Sequence, residues 1–210
     1  MSKTIALVTP VLDDWVSLTA MLIDICHRLC GQGVTFKVYA VDDGSTLPFE
    51  PASLALPADS CVASIDVIRL AANFGHQRAI AVGLCAVAED DAAEAVLVMD
   101  SDGQDRPADI PALLTASARH PHEIVVAARS QRAESYGFRL WYLLYRLIFH
   151  ALTGQSINFG NYCLIPIAAA RRLVHMPELW NNLATSIMRS GLPYTKIFSA
   201  RDGEYRAGRG

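Results

Sequence analysis

The sequence has no excess of positive charge. Its 210 residues contain 18 lysines and arginines against 21 acidic residues, which gives a formal net charge of −3. Proteins that bind nucleic acids usually carry a marked basic excess. The charge balance therefore argues against nucleic acid as a partner, although local clusters of arginine remain compatible with it.

The sequence also lacks a long uninterrupted apolar run. The longest apolar tract, residues 140–152, is broken by Arg146 and His150. It is too short to cross a bilayer, which takes about 20 consecutive apolar residues. The N-terminus has neither the apolar core nor the cleavage site of a signal peptide. We therefore expect neither an export signal nor a transmembrane helix in these residues.

The cysteines lack the spacing of a metal cluster or a redox motif. There are five of them, an odd number without a CxxC pair, and most stand in apolar surroundings. We expect them to be reduced core residues of a cytosolic protein, neither disulfide-bonded nor ligands of zinc. They are Cys26, Cys30, Cys61, Cys85 and Cys163.

Short β-rich apolar runs alternate with helical patterns along the first two thirds of the chain. Strands are predicted over residues 4–9, 35–41, 62–70, 95–99 and 123–127, and helices over residues 15–29, 77–88 and 107–118. This alternation predicts an α/β fold, a mostly parallel sheet with helices on both faces. Ligands of such sheets bind at the carboxyl ends of the strands, where this sequence places polar residues.

The most informative of these polar segments follows the fourth predicted strand. Asp100, Asp102 and Gln104 place oxygen-bearing side chains at alternate positions, and Gly103 permits a sharp turn. Two carboxylates and an amide favour a hard cation such as Mg²⁺ or Mn²⁺. The alternative is a helix cap, with Asp105 capping the helix that begins at Pro107, but this leaves Asp100 unexplained. On these residues alone both interpretations stay open.

Two further segments suggest a nucleotide. Asp42 and Asp43, with Ser45, end the second strand in a form that suits a nucleoside, although Asp-Gly also favours an ordinary polar turn. Arg78 lies in the first turn of the second helix, where it and the helix N-terminus could meet a diphosphate. The alternative is a solvated first turn.

Basic residues follow the fifth strand. Arg129 and Arg132 are spaced so that both could bind one phosphate, and their position after a strand favours this, although a pair of solvated surface arginines is the default interpretation. The segment 137–152 combines a basic stripe, an apolar stripe and several aromatic residues. This pattern suits a helix at a membrane interface or an ordinary core helix.

Other nucleotide-binding motifs are missing. Gly31 and Gly33 follow a helix and lack the third glycine of a dinucleotide fingerprint, and there is no Walker A sequence. The glycine-rich, arginine-containing loop of nucleotidyltransferases is also missing after Thr9.

Taken together, the motifs resemble the family 2 glycosyltransferases of the GT-A fold. The nearest resemblance is to polyprenyl-phosphate sugar transferases, such as the dolichyl-phosphate mannose synthases and their bacterial glucosyl relatives. The motifs occur in order over nearly the whole chain. They are VTPVLDD, VDDGST, LAANFGHQRAIAVGL, MDSDGQDRP, RSQR and FGNYCLI, which begin at residues 8, 41, 70, 99, 129 and 159.

The resemblance implies a single GT-A domain over residues 1–210. Residues 1–128 would bind a UDP- or GDP-sugar, and residues 129–210 would face the acceptor and the membrane. The donor would contact Pro10, Asp14, Asp42, Asp43, Ser45, Arg78, Asp100 and Ser101. Mg²⁺ or Mn²⁺ would be held by Asp100, Asp102 and Gln104, and the catalytic set would be Asp102, Asn161, Arg129 and Arg132.

The reaction implied by the resemblance is metal-dependent transfer of the sugar, with inversion, to a polyprenyl phosphate at the cytoplasmic face of the membrane. Two alternatives stay open: a saccharide or other hydroxyl acceptor, and a module that binds nucleotide sugar without turnover. A homo-oligomer is compatible with the resemblance.

The sequence departs from the family at the acceptor side. Asn161 stands where these relatives have aspartate, and Cys163 where they have arginine; Asp13 and Asp14 replace asparagine and glutamate. An amide cannot act as a base, which a hydroxyl acceptor would require. A phosphate monoester is already anionic at neutral pH. We therefore hypothesise that Asn161 positions the acceptor or the donor sugar and that the acceptor is a phosphate.

The last residues, 205–210, resemble the start of a basic segment after which many relatives continue into transmembrane helices. Here the sequence ends at Gly210. Two interpretations stay open: a shortened chain, or a short form that touches the membrane through the segment 137–152 and this tail.

Overall fold

The computed structural model describes residues 3–47, 49–50, 56–129 and 159–199. Within them the chain forms β1 (Lys3–Val11), α1 (Trp15–Leu29), β2 (Val34–Asp42), β3 (Val62–Arg69), α2 (His76–Ala88), β4 (Ala95–Val98), α3 (Ile110–Arg119), β5 (Ile124–Arg129), β6 (Phe159–Pro166), α4 (Ile167–Leu173), α5 (Leu183–Arg189) and β7 (Tyr194–Ser199). Short 3₁₀ turns, Pro107–Asp109 and Pro177–Trp180, precede α3 and α5.

The described strands form one seven-stranded sheet in the order β3-β2-β1-β4-β6-β5-β7. The strands β1 to β4 run parallel to one another, and β5 is parallel to β7. β6 is antiparallel to both β4 and β5. The prediction of a mostly parallel α/β sheet is confirmed, and the antiparallel insertion of β6 is what the sequence pattern did not show.

Side chains of β1 alternate between two hydrophobic cores, one on each face of the sheet. Ile5 and Leu7 pack with α1 and α3, whereas Ala6 and Val8 pack with α2, α4 and α5. All four are fully buried. This double coverage explains why the strand reads as a continuous apolar run rather than as an alternation of apolar and polar residues.

Gly83 lets α2 lie close against the sheet. A Cβ atom at this position would stand 2.5 Å from Val8 Cγ1 and 3.0 Å from Val41 Cγ2. The close approach fixes α2 over β1 and β2, so that its N-terminus lies at the carboxyl edge of the sheet. The first turn of α2 is thereby brought to the edge where ligands of parallel sheets bind.

The predicted element bounds differ from the observed ones mainly at the third helix. The helix predicted from Pro107 begins as a 3₁₀ turn and becomes α-helical only at Ile110. No helix among residues 3–47, 49–50, 56–129 and 159–199 has the length and apolar character needed to span a membrane. The segment 137–152 and Arg132 lie outside the described residues.

Candidate active site

Asp13 joins the loop after β1 to the loop after β2. Its backbone N–H donates to Ser45 Oγ at 2.9 Å, and its Oδ1 accepts from the backbone N–H groups of Thr46 and Leu47 at 2.7 and 3.0 Å. Asp13 has a φ of 51°, a left-handed conformation that is uncommon for residues other than glycine. The sequence analysis did not assign Asp13 to the site, because this clamp is made by contacts more than 30 positions apart.

The two acidic residues at the end of β2 are buried, and their oxygens are already bonded within the protein. Asp42 accepts from Ser45 N–H at 2.8 Å through Oδ1, and its Oδ2 lies 3.3 Å from Arg69 Nε. Asp43 accepts from the backbone N–H groups of Phe74 and Gly75 at 2.8 and 3.0 Å. The carboxylates therefore shape the loops around the predicted nucleoside site.

Asp14 and Pro10 have different structural roles in the loop after β1. Asp14 is the N-cap of α1, and its Oδ1 accepts from Ser17 N–H at 3.3 Å. The carbonyl of Pro10 accepts from Ser101 Oγ at 3.2 Å, which connects this loop to the segment after β4. Ser101 is buried. The contact holds two of the predicted donor-binding loops at a fixed separation.

The segment after β4 folds back on itself through its own acidic residues. Asp102 Oδ1 accepts from Gln104 N–H at 2.9 Å, and Gly103 between them has a φ of 85°. Asp105 Oδ2 accepts from the backbone N–H of Asp100 at 3.0 Å. The helix-cap alternative for Asp105 is wrong, because the N-cap of the turn at Pro107 is Arg106 and the Asp105 carboxylate accepts from the backbone of Asp100.

Asp100 carries the feature that best fits a cation. Its Oδ1 is buried and receives no well-aligned hydrogen bond among the described residues. A buried carboxylate oxygen in this state is uncommon and favours a positively charged partner. His76 Nε2 lies 3.1 Å from this oxygen, and the interaction with Asp100 raises the pKa of His76 against the opposing effect of partial burial. The position therefore attracts positive charge.

The acidic side chains do not form a closed metal cage by themselves. Within the described part of the chain, Asp100 and Asp102 do not join a third acidic, histidine or cysteine side chain in a set of ligand atoms within 4.8 Å of one another. Mg²⁺ is commonly bound by one or two carboxylates together with substrate phosphates and water. The donor set of Asp100, Asp102 and Gln104 fits that kind of site.

Asn161 on β6 is held by two residues of α2. Its Oδ1 accepts from Gln77 Nε2 at 3.2 Å, and its Nδ2 lies 3.1 Å from His76 Nε2. Gln77 Oε1 accepts in turn from Leu183 N–H at 3.1 Å, at the start of α5. A backbone N–H can only donate, so this contact orients the Gln77 amide and, through it, that of Asn161.

The structure thus joins the predicted metal site to the predicted acceptor residue through His76. The sequence analysis left His76 and Gln77 out of the site, because a polar first turn of a helix is ordinary. Their partner Asn161 lies 84 and 85 positions away. No local signal in the sequence indicates this pairing.

The predicted basic residues are placed only in part. Arg78 is exposed in the first turn of α2, and its Nη1 donates to the Phe74 carbonyl at 3.4 Å. Arg129 is the last residue of β5, and only its backbone is described. Cys163, which stands where the resembling transferases carry arginine, is fully buried in the core. Burial raises the pKa of its thiol.

A mostly parallel sheet with an Asp-x-Asp segment at the end of its central β4 has the architecture of the GT-A glycosyltransferases. Glucosyl-3-phosphoglycerate synthase from Mycobacterium tuberculosis, solved with Mg²⁺ and UDP, superposes with a TM-score of 0.57 at 17% identity, over 97% of this chain and 72% of that one. The same enzyme with Mn²⁺, UDP and phosphoglyceric acid gives a TM-score of 0.58 at 17% identity, over the same shares of the two chains. This likeness establishes the GT-A fold.

The chain belongs to glycosyl transferase family 2, whose model matches residues 7–179. It is 28% identical over 175 residues to the undecaprenyl-phosphate 4-deoxy-4-formamido-L-arabinose transferase of Erwinia tasmaniensis, covering 82% of this chain and 50% of that protein. The Yersinia pestis enzyme of the same name is 28% identical over 173 residues, with the same coverage. The chain thus spans about half the length of these curated relatives.

Proposed function

We propose that this chain transfers a sugar from a nucleotide-diphosphate sugar to a polyprenyl phosphate. The observation that carries the proposal is the meeting of Asp100, on the donor side, with Asn161, on the acceptor side, at His76. Family membership supports glycosyl transfer, and the relatives named above support a polyprenyl-phosphate acceptor. The proposal includes one GT-A domain over residues 1–210, with the donor half at residues 1–128.

The donor nucleoside binds between the loops after β1 and β2. Asp14 contributes its free oxygen: among the described residues only Ser17 N–H bonds to this side chain, and it does so at Oδ1. Asp42, Asp43 and Ser45 set the shape of the loop, since their polar atoms already bond to one another and to neighbouring backbone groups.

The diphosphate of the donor lies between the segment after β4 and the N-terminus of α2. Asp100, Asp102 and Gln104 would hold Mg²⁺ or Mn²⁺ there, and the bound ion would neutralise charge on the leaving diphosphate. Arg78 and the first N–H groups of α2 add positive potential on the other side. Pro10 and Ser101 keep the two loops in register.

The acceptor phosphate attacks the anomeric carbon with one of its own oxygens. A new carbon–oxygen bond forms, the bond to the diphosphate breaks, and the nucleoside diphosphate leaves with the bonding electrons, so the configuration inverts. Because the phosphate is already anionic, no base is needed. Asn161 positions the reacting groups, and Arg129 and Arg132 bind the acceptor phosphate.

The transfer takes place at the cytoplasmic face of the membrane, where the segment 137–152 makes peripheral contact. Binding of the full chain to vesicles with anionic lipids, in low and high salt, tests this contact. Binding that falls with salt supports it. If the same amount of protein binds to neutral and to anionic vesicles, the electrostatic part of the proposal fails.

The activity itself is tested by incubating the full chain with a panel of UDP- and GDP-sugars, Mn²⁺ and a short polyprenyl phosphate. We expect one donor to yield a glycosyl phosphate lipid with inverted configuration. Asp100→Asn should abolish metal-dependent donor binding, while Asp91→Asn, at an exposed surface ion pair with Arg171, should not change it. If no donor binds more tightly with metal and none is consumed, the proposal fails.

The same assay separates the alternatives. Transfer to a saccharide but not to the lipid phosphate would assign a hydroxyl acceptor. Metal-dependent binding of a nucleotide sugar without any product would assign a binding module without turnover.

A further inference from the structure

Three of the five cysteines meet at the edge of the sheet opposite to the candidate active site. Cys26 and Cys30 lie one turn apart at the end of α1, and Cys61 immediately precedes β3. Their sulfur atoms all lie within 4.8 Å of one another. The sequence analysis expected no metal cluster because none of these cysteines has CxxC spacing. Cys26 and Cys30 are four residues apart along the helix, so they lie on the same face. Cys61 is distant in the sequence, and the three sulfurs therefore meet only in the folded chain.

The backbone around this cluster is fixed before any ligand binds. Cys30 caps α1 by donating its N–H to the Cys26 carbonyl at 3.0 Å. The Cys61 carbonyl accepts from Phe36 N–H on β2 at 2.7 Å. Both segments are therefore held by main-chain hydrogen bonds, and the three sulfurs converge without rearrangement of the chain.

The separations suit a single ion bound by thiolates. Cys26 and Cys61 have sulfurs 4.0 Å apart. With zinc–sulfur bonds of about 2.3 Å, ligand sulfurs of one tetrahedral site lie roughly 3.8 Å apart, so small side-chain rotations complete the geometry. Ser60 Oγ accepts from Val62 N–H at 3.0 Å and lies 3.1 Å from Cys26 Sγ, so it helps to fix the position of that sulfur.

Burial and access also fit a metal site. Cys26 and Cys61 are buried, whereas Cys30 is half-buried and gives an ion a way in from solvent. All five cysteines are free thiols and so are available as ligands.

We infer that Cys26, Cys30 and Cys61 form a thiolate site for one Zn²⁺ ion that ties the end of α1 to the start of β3. Soft thiolate ligands select zinc over Mg²⁺ and Mn²⁺, so this site and the carboxylate site serve different ions. Its position, away from the carboxyl ends of the strands, assigns it a structural role. The inference does not depend on the proposed transferase activity.

The test uses the full chain, reduced, stripped with a chelator and titrated with Cd²⁺ or Zn²⁺ alone. We expect one Cd²⁺ per chain with an ultraviolet sulfur-to-metal charge-transfer band, which carboxylate ligands do not produce. Zinc should raise the melting temperature of the protein. Cys30→Ser should weaken zinc binding by about tenfold or more, since even outer-shell partners of metal ligands contribute that much.

The matched control is Cys85→Ser, which removes a half-buried thiol on α2 outside the cluster. This variant should keep the band and the zinc-dependent rise in melting temperature. Cys61→Ala provides a second loss-of-site variant, with circular dichroism as the check on folding. Absence of the band in the reduced wild-type protein, or an equal band in Cys30→Ser, would overturn the inference.

Discussion

Asn161 shows how one side chain in this site depends on residues far away in the sequence. Leu183 N–H orients the Gln77 amide, and Gln77 Nε2 orients Asn161. The Nδ2 of Asn161 then lies 3.1 Å from His76 Nε2, which accepts from it only when that nitrogen carries no proton and which also faces Asp100. The arrangement supports a positioning role for Asn161, since the hydrogen bond from Gln77 gives its amide a defined direction.

We expect Asn161→Ala to lower kcat by about tenfold to a hundredfold with a smaller change in the donor KM, because misplacement of a reacting group mainly affects the chemical step. Asn161→Asp should retain more activity, since a carboxylate still accepts from Gln77. Steady-state rates of the two variants provide the measurement. Full activity in both would eliminate the positioning role.

Asp13 illustrates a second type of residue-scale effect. Its left-handed backbone conformation would be costly for an ordinary side chain, but its carboxylate accepts several hydrogen bonds from the loop after β2. The sequence indicated only an oxygen-bearing residue that replaces asparagine. The structure gives the reason for an acceptor at this position, which is to hold the β1 and β2 loops together.

At the scale of elements, the alternation of strands and helices was predictable as far as β5. Helix α1 begins at Trp15 and ends at Leu29, as predicted. The antiparallel strand β6 was not predictable, because its partners β4 and β5 are chosen by long-range pairing and not by local periodicity. That choice brings Asn161 to the active-site edge.

Helix α2 provides an element-scale prediction through Gly83. Gly83→Ala should destabilise the protein by about 1 to 3 kcal/mol, since a methyl group meets Val8 at 2.5 Å in a packed core. The gain in helix propensity offsets only about 1 kcal/mol of the clash. Urea unfolding gives the free energy of unfolding. The control is Val82→Ala, a substitution that adds no atoms at a half-buried position of the same helix. A Gly83→Ala variant that is more stable than the wild type would contradict the close approach of α2 to the sheet.

At the scale of the whole molecule, a polar cluster connects the inner strand β2 to the connection that follows α2. Asp90 Oδ2 accepts from Lys37 Nζ and from Tyr39 Oη, the latter at 2.7 Å. The hydrogen bond from Lys37 lowers the pKa of Asp90 to about 2, although burial opposes this shift. Folding therefore favours the ionised carboxylate.

This pKa shift predicts a specific acid sensitivity. Because the folded pKa lies below the unfolded value of about 3.9, the stabilisation is present at higher pH and is lost as pH falls from about 4 to 2. Asp90→Asn should lower the free energy of unfolding at pH 7 by about 1 to 2 kcal/mol, after allowance for solvent screening, and flatten this part of the pH profile. Urea titrations from pH 2 to 7 measure both effects.

The control for that experiment is Asp24→Asn, which removes an exposed ion pair with Arg28 one turn away on α1. Surface pairs of this kind contribute little, about 0.3–0.5 kcal/mol. An unchanged pH profile in Asp90→Asn would contradict the assignment of the acid sensitivity to Asp90.

The class of fold, the polar segments after the strands and the resemblance that groups them all follow from the sequence. Apolar periodicity and turn residues are local features, so the alternation of strands and helices can be predicted from residues that are close together in the sequence. Which distant residues meet depends on the folded chain: Asn161 with His76, Asp13 with Ser45, and Cys61 with Cys26. Such contacts depend on the order of the strands and on close packing of side chains. Both are properties of the whole folded chain and not of neighbouring residues in the sequence.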